Sequence, residues 1–335
     1  MVSEQADTES ANNPGFWVPM DDGALLYLRR WKAASPKAVL HIVHGMAEHS
    51  ARYDRLARRL VAEGIEVWAA DQRGHGKTSE NRQNDPSRGG LLGHCADGEG
   101  FSRVTADIDT LNRKIKRELC GIPVFLLGHS WGSFIAQNYI ENFEGNSAGG
   151  KDPVMLAGCI LSGTRGPGGG IKIAMGAPAM TFLAFILGER KGSAIAKAAA
   201  DGPYNKPFRP NRTNFDWLSR DEKEVDAYVS DPFCGKLCSV GFYRDMARAL
   251  TRIHRPEEMG KIRKELPIFI FSGSADPVGD MGESPAALAV AYRHQKINNL
   301  ETVLYPDARH EPLHETNRDE VTESLLSWLQ RQCKT

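Results

Sequence analysis

The sequence predicts an α/β fold, with a mostly parallel central sheet, helices on both faces and an inserted cap. Three observations predict it. Strand-like runs, several nearly all apolar, recur along the chain. Helix-like segments lie between several of them. The alternation stops near residue 165 and resumes at residue 268. Continuously apolar strands are what a sheet covered on both sides requires.

The strands are expected at residues 24–31, 38–43, 65–70, 124–127, 154–161, 268–272 and 301–305. The clearest helix covers residues 52–61, where Tyr53, Leu56, Ala57, Leu60 and Val61 form one apolar stripe and Gly64 ends the segment. Ile108, Leu111, Ile115 and Leu119 repeat the idea before Gly121. Between residues 165 and 259 come a glycine run (Gly166, Gly168, Gly169, Gly170), an apolar helix-like segment and a Pro/Asn/Arg-rich stretch at 206–211. The 335 residues therefore divide into a disordered tail (1–15), a first core half (16–165), a cap (166–250) and a second core half (251–335). At about 150 residues per domain, that is one large domain with an insertion, or two domains.

Composition narrows the function. Lys+Arg 42 against Asp+Glu 42 gives a net charge of zero, which argues against a nucleic-acid binder that neutralises phosphates. A charged fraction of 25% is that of a globular protein. Six scattered cysteines do not make a disulfide scaffold. Cys234 and Cys238 are four apart with no matching His or Cys pair nearby in sequence, so they read as ordinary loop thiols, with a zinc site as the alternative. Residues 1–13 are polar and acidic, and no secretory signal is expected there. No run reaches the roughly 18 uncharged apolar residues of a membrane span. The expected location is cytoplasmic, with peripheral membrane contact through the cap.

The strand at 124–127 runs into Gly128-His129-Ser130-Trp131-Gly132 and then a helix at 134–140. This is G-x-S-x-G in its required strand–turn–helix setting. A tight turn projects the Ser130 hydroxyl above the sheet, and side chains at Gly128 and Gly132 would collide with backbone. The Trp131 amide opens the following helix, where negative charge would develop. A serine nucleophile needs a base, and the base needs an orienting group. Both should lie at the C-terminal ends of later strands. The strand at 268–272 leads to Asp276, the natural acid, and the last strand leads to His310, the natural base. Asp280 lies further from its strand end. Asp307 reads as a turn residue, His314 as a supporting histidine, His129 as packing, and His294 as helical. After the strand at 38–43, His44-Gly45-Met46-Ala47-Glu48-His49 is where the second oxyanion amide should come from, with Met46 the donor. Asp71-Gln-Arg-Gly-His75-Gly76 reads as a polar glycine-rich turn rather than a site for a catalytic His75.

Taken together, the segments His44–His49 with Arg52-Tyr53, Asp71–Gly76, Gly128–Gly132, Asp276 and Ala308-Arg-His310-Glu311 resemble the monoglyceride lipase and bacterial lysophospholipase group of α/β-hydrolases. The resemblance runs through both core halves and reaches the cap only in position and length. It implies an α/β-hydrolase fold and a carboxylic-ester hydrolase with no metal and no organic cofactor. It implies Ser130 as nucleophile, His310 as base, Asp276 as orienting acid, and the amides of Met46 and Trp131 as oxyanion hole. Ala47 departs from the group, which commonly has Gly there, and Pro312 and His314 vary the segment after the histidine.

In the cap, Ile173, Met175, Met180, Phe182, Leu183, Phe185, Ile186 and Leu187 crowd one segment. Met175, Phe182 and Phe185 are the candidates for a wall along an acyl chain, or for a surface that touches lipid. The alternative is a helix packed on the core. Arg220-Asp-Glu-Lys-Glu224 reads as a solvated helix start, its acids otherwise serving to bind a substrate amine. The leading expectation is hydrolysis of a lipid-like ester through an acyl-enzyme. An aminopeptidase or acyltransferase on the same triad is the second, and a non-catalytic ligand-binding module the third. Chain length, head group and oligomeric state are not written in the sequence.

Overall fold

A computed structural model describes residues 15–144, 154–168, 170–200 and 202–333. The chain runs β1 (Phe16–Pro19), β2 (Leu25–Trp31), β3 (Ala38–Val43), a 3-10 turn (Ser50–Tyr53), α1 (Asp54–Ala62), β4 (Ile65–Asp71), α2 (Gly100–Glu118), β5 (Val124–His129), α3 (Trp131–Asn142) and β6 (Gly158–Ser162). Then follow α4 (Gly170–Leu187), α5 (Ala194–Ala200), α6 (Glu222–Ser230), α7 (Val240–Ile253), α8 (Pro256–Met259), β7 (Ile268–Gly273), α9 (Glu283–His294), β8 (Leu300–Tyr305) and α10 (Arg318–Gln332). The eight strands form one sheet in the order β1-β2-β4-β3-β5-β6-β7-β8. The β1–β2 and β2–β4 pairs are antiparallel, and every pair from β4–β3 to β7–β8 is parallel.

Parallel pairing follows from the helical crossovers. Alternation along each strand divides the core into two layers. Val39, Val43, Val124, Leu126, Ile268 and Ile270 join the layer that holds Ile108 and Leu111 of α2 and Ile135 and Tyr139 of α3. Leu40, Ile42, Phe125, Leu127, Phe269 and Phe271 join the layer under α1 and α10.

Strand and helix ends shift by a few residues, and four departures bear on the fold. β1 was not expected, because four residues ending in a proline carry little strand signal. The helix expected at 52–61 begins as a 3-10 turn and turns α-helical at Asp54. The strand expected at 154–161 begins pairing only at Gly158, although Val154 and Leu156 are buried. A Cβ at Gly158 would lie 2.5 Å from the Trp328 ring, so α10 packs directly on the start of the strand. The expected cap boundary at 250 falls inside α7. Most of the tail expected at 1–15 lies outside the described residues.

Trp328 organises the α10 side of the sheet. It is buried, stacked on Phe269 (centroids 5.6 Å apart, 18° between planes) and edge-on to Phe125. Trp328→Ala is expected to cost about 3–5 kcal/mol in urea unfolding, from lost burial and the cavity it leaves.

Candidate active site

The parallel register sends β3, β5, β6, β7 and β8 toward one edge of the sheet, and the loops leaving that edge carry the site. Ser130 follows β5 directly and sits at φ 52°, ψ −123°, which a serine adopts only under constraint. Its amide donates to Ser162 O at 2.9 Å, and Ser133 Oγ donates to its carbonyl at 2.5 Å. A Cβ at Gly128 would lie 2.6 Å from Ser133 Cα, and one at Gly132 would meet the carbonyl oxygens of Val43 and His44. These contacts leave only glycine at both positions.

His310 and Asp276 come to this serine from β8 and β7. Ser130 Oγ lies 2.8 Å from His310 Nε2, and His310 Nδ1 lies 2.9 Å from Asp276 Oδ1. Asp276 is 0% exposed and His310 2%. The Asp276 carboxylate also accepts from Val278 N at 2.9 Å and Ser272 Oγ at 3.0 Å. Burial works to raise its pKa, but His310 and these donors hold it below the ordinary carboxylate value. Burial likewise works to lower the pKa of His310. Asp276 outweighs that and raises the imidazole above the ordinary value of 6.5.

The other candidates are placed elsewhere. Asp280 pairs with Arg165, Nη2 to Oδ2 2.7 Å. Asp307 is exposed at φ 57°, and His294 is exposed on α9. His129 packs 5.1 Å from the His310 ring, and burial, with His310 next, pushes its pKa down to about 4. His75 stacks on Trp131, with its pKa pushed down to about 3 mainly by burial.

Gly45 of the loop after β3 adjoins the serine, since a Cβ there would lie 3.2 Å from Ser130 Cβ. Met46 lines the cleft with Ser130, and Trp131 is the first residue of α3. Ala47 sits at φ 54°, a left-handed conformation that suits glycine better than alanine. Its carbonyl accepts from Tyr228 Oη and Gly235 N, both at 2.9 Å, so the cap holds this loop.

Glu48, Arg52 and Glu311 lie in the segments that carry the family resemblance, which implies no role for them. The structure joins them in a buried chain. Arg52 Nη1 donates to Glu48 Oε2, and Nη1 and Nη2 grip both oxygens of Glu311, all at 2.7 Å. Glu48 Oε1 accepts from Gly45 N at 2.5 Å and Tyr53 Oη at 3.0 Å. The chain thus ties the loop at 45–48 to the residue after His310. The i,i+4 spacing of Glu48 and Arg52 is a sequence signal for their pairing. Trp217 had no such signal. Its ring covers His310 at 5.0 Å, its carbonyl accepts from His310 N at 3.3 Å, and Leu218 O accepts from Glu311 N at 2.8 Å.

The cleft over Ser130 encloses about 30 Å³, bounded by the loop at 45–48, His310 and the cap residues Lys197, Trp217, Tyr228 and Lys236. Phe182 and Phe185, expected to wall it, do not line it. They stand on the outer face of α4, 66% and 88% exposed. The helical repeat turns Met180 and Leu183 toward the core instead. The side chain of Met175 lies outside the described residues. Asp221 and Glu224, considered for binding an amine, face Arg318, with Arg318 Nη1 3.8 Å from Glu224 Oε1.

A mostly parallel sheet whose central strand delivers a serine through a sharp turn into a helix, with a carboxylate and a histidine on the following strand ends, is the arrangement of the α/β-hydrolases. The family model for serine aminopeptidases, S33, matches residues 34–317, and the chain belongs to that family. Within the α/β-hydrolases it falls with the monoglyceride lipase-like group. Human monoglyceride lipase is 28% identical over 306 residues, covering 88% of this chain and 86% of its own. The monoacylglycerol lipase of Mycolicibacterium smegmatis is 27% identical over 300 residues, covering 88% of each. Among solved structures, a carboxyl esterase from Bacillus coagulans in complex with glycerol superposes with a TM-score of 0.84 at 25% identity, covering 97% of this chain and 100% of that one.

Burial raises the pKa of Glu48 and Glu311, but Arg52 outweighs it and depresses both below the ordinary 4.5. A depressed carboxylate contributes stability above its unfolded pKa and loses it as pH falls through the folded value. Arg52→Met leaves both carboxylates buried without their cation and is expected to cost about 3–5 kcal/mol at pH 7. The deficit should shrink as pH falls toward 4, where the variant's carboxylates protonate. Urea unfolding across that pH range checks both.

Proposed function

We propose that this chain is a serine hydrolase that cleaves the carboxylic ester of a lipid of the monoacylglycerol class through an acyl-enzyme on Ser130. The observation that carries the proposal is the continuous hydrogen-bond chain from Ser130 Oγ through His310 to Asp276, at 2.8 and 2.9 Å. The names of the relatives support the substrate class. His310 Nε2 takes the hydroxyl proton as Oγ bonds to the ester carbonyl carbon. The carbonyl oxygen, now negative, is received by the amides of Met46 and Trp131. The bond to the leaving alkoxy oxygen breaks, and that oxygen takes the proton from His310. Water then gives a proton to His310 and attacks the acyl carbon. The Oγ–acyl bond breaks, the proton returns to Ser130, and the carboxylic acid departs. Asp276 keeps Nδ1 protonated throughout, so Nε2 faces the serine as an acceptor.

The cleft disfavours the aminopeptidase reading. Its cap-side rim carries Lys197 and Lys236, and its two acids, Glu48 and Glu311, are taken up by Arg52. A free amino group would find no anion there, whereas a neutral ester needs none.

Ser130→Ala is expected to abolish labelling by a fluorophosphonate and to lower ester turnover at least 10³-fold. Retained labelling, or turnover of monoacylglycerol within tenfold of the unsubstituted chain, would refute the nucleophile. His310 acts only when neutral, and its pKa is raised, so activity should rise with pH through a midpoint above 6.5. Asp276→Asn removes the influence that raises it, so the residual activity's acid limb should move to lower pH.

The substrate class also gives the outer face of α4 an occupant. Phe182, Phe185, Ile186 and Leu187 are exposed together, and no helix among the described residues is long and apolar enough to cross a membrane. A surface patch of this kind suits shallow contact with the lipid that holds the substrate. The double substitution Phe182→Ser, Phe185→Ser should lower co-sedimentation with phosphatidylcholine vesicles at least threefold and leave hydrolysis of a water-soluble short-chain ester unchanged.

A further inference from the structure

Where α6 ends, the cap returns to the core and meets the residue just past the loop at 45–48. His49 Nε2 lies 2.9 Å from Asp231 Oδ2. Cys234 completes the group, and one donor atom from each of the three lies within 4.8 Å of the others. His49 and Cys234 are buried, while 26% of the Asp231 side chain is exposed and gives solvent a way in. None of the three belongs to the hydrolytic chain. Each is nonetheless held in place. Asp231 Oδ1 accepts from Phe233 N at 2.8 Å, the Phe233 ring stands edge-on to His49, and Cys234 N donates to Asp231 O at 3.3 Å.

We propose that His49, Asp231 and Cys234 form a binding site for a thiophilic divalent cation of the zinc type, bridging the cap to the oxyanion loop. The donor set is the first argument. An imidazole nitrogen, a carboxylate oxygen and a thiolate suit zinc and discriminate against magnesium and calcium, which take oxygen ligands. Geometry is the second. Bonds of roughly 2.0–2.3 Å in a tetrahedron set donors roughly 3.3–3.6 Å apart. The existing spacing runs from 2.9 Å to at most 4.8 Å, within reach of side-chain rotation. The fourth position opens past Asp231 toward solvent. Charge does not oppose the ion, because Arg52 nearby is already neutralised by Glu48 and Glu311. A thiol that ligates the cation gives up its proton to solvent.

The site would act on a contact that already exists. Tyr228 Oη and Gly235 N both bond to Ala47 O, so a cation held by residues 49, 231 and 234 fastens the same two segments more tightly. Divalent zinc would then restrain the cap over the cleft.

Cobalt(II) is the probe, and its spectrum does not depend on catalysis. One equivalent added anaerobically to the intact chain should raise a thiolate-to-cobalt charge-transfer band that saturates at a 1:1 ratio and is displaced by one equivalent of zinc. Cys234→Ser should abolish the band, and His49→Gln should weaken cobalt binding at least tenfold, in proteins whose circular dichroism matches the unsubstituted chain. Absence of the band in the unsubstituted chain would overturn the proposal without recourse to any variant. A band undiminished in Cys234→Ser would overturn it as well, by placing the ion on another thiol.

Discussion

The backbone of Ser130 is the constraint on which the rest depends. A positive φ paired with ψ −123° at a residue with a Cβ costs on the order of 1–3 kcal/mol, and the chain relaxes it wherever the surroundings allow. Here they do not. Gly128 and Gly132 are packed so closely that a Cβ on either would enter neighbouring backbone. Ser162 on β6 and Ser133 on α3 hold the amide and carbonyl of the serine. Three adjacent strands therefore aim one hydroxyl, and His310 and Asp276 need only arrive at the ends of the next two strands. Sheet register does in space what no local motif could do in sequence.

That division explains what was legible. The elbow could be read because its requirements are local: a strand, two glycines around a serine, a helix. Asp276 and His310 could be read because parallel topology says where to look. The buried chain through Arg52 was half visible. Glu48 and Arg52 are four residues apart, but Glu311 lies 259 residues from Arg52, and only the fold joins them. Trp217 over His310 gave no sign, because single aromatics in a cap carry no period. Phe182 and Phe185 read as helical and apolar, with an acyl-chain wall and a lipid-touching surface both open, since a helix apolar nearly all round does not reveal which face meets the core; their exposure fits the second. Cys234 reads with Cys238 as an ordinary loop thiol for want of a matching pair nearby in sequence, whereas the imidazole beside it, His49, comes from across the cap–core junction.

Charge in the site is arranged by pairing rather than by exposure. Three carboxylates, Glu48, Asp276 and Glu311, are all but fully buried, and each meets a cation or imidazole. The buried rings of His129 and His75 are held neutral at ordinary pH, while His310 alone of these three is shifted upward. What singles it out is Asp276, because burial works the same way on all three imidazoles.

The covering segment is stitched to the core at Ala47 and His49 as well as beside the catalytic histidine. At residues 217–218 two carbonyls are fastened to the amides of His310 and Glu311, so lifting that margin would unpick the histidine's own loop. A cleft of about 30 Å³ is too narrow for a fatty chain, which must push something aside. The far margin, beyond α4, is fastened too: Arg190 pairs with Asp97, and the carbonyls of Glu189 and Lys191 accept from Gly241 N and Val240 N. What shelters the histidine therefore also holds it, and cover and catalytic centre are fixed by the same backbone bonds.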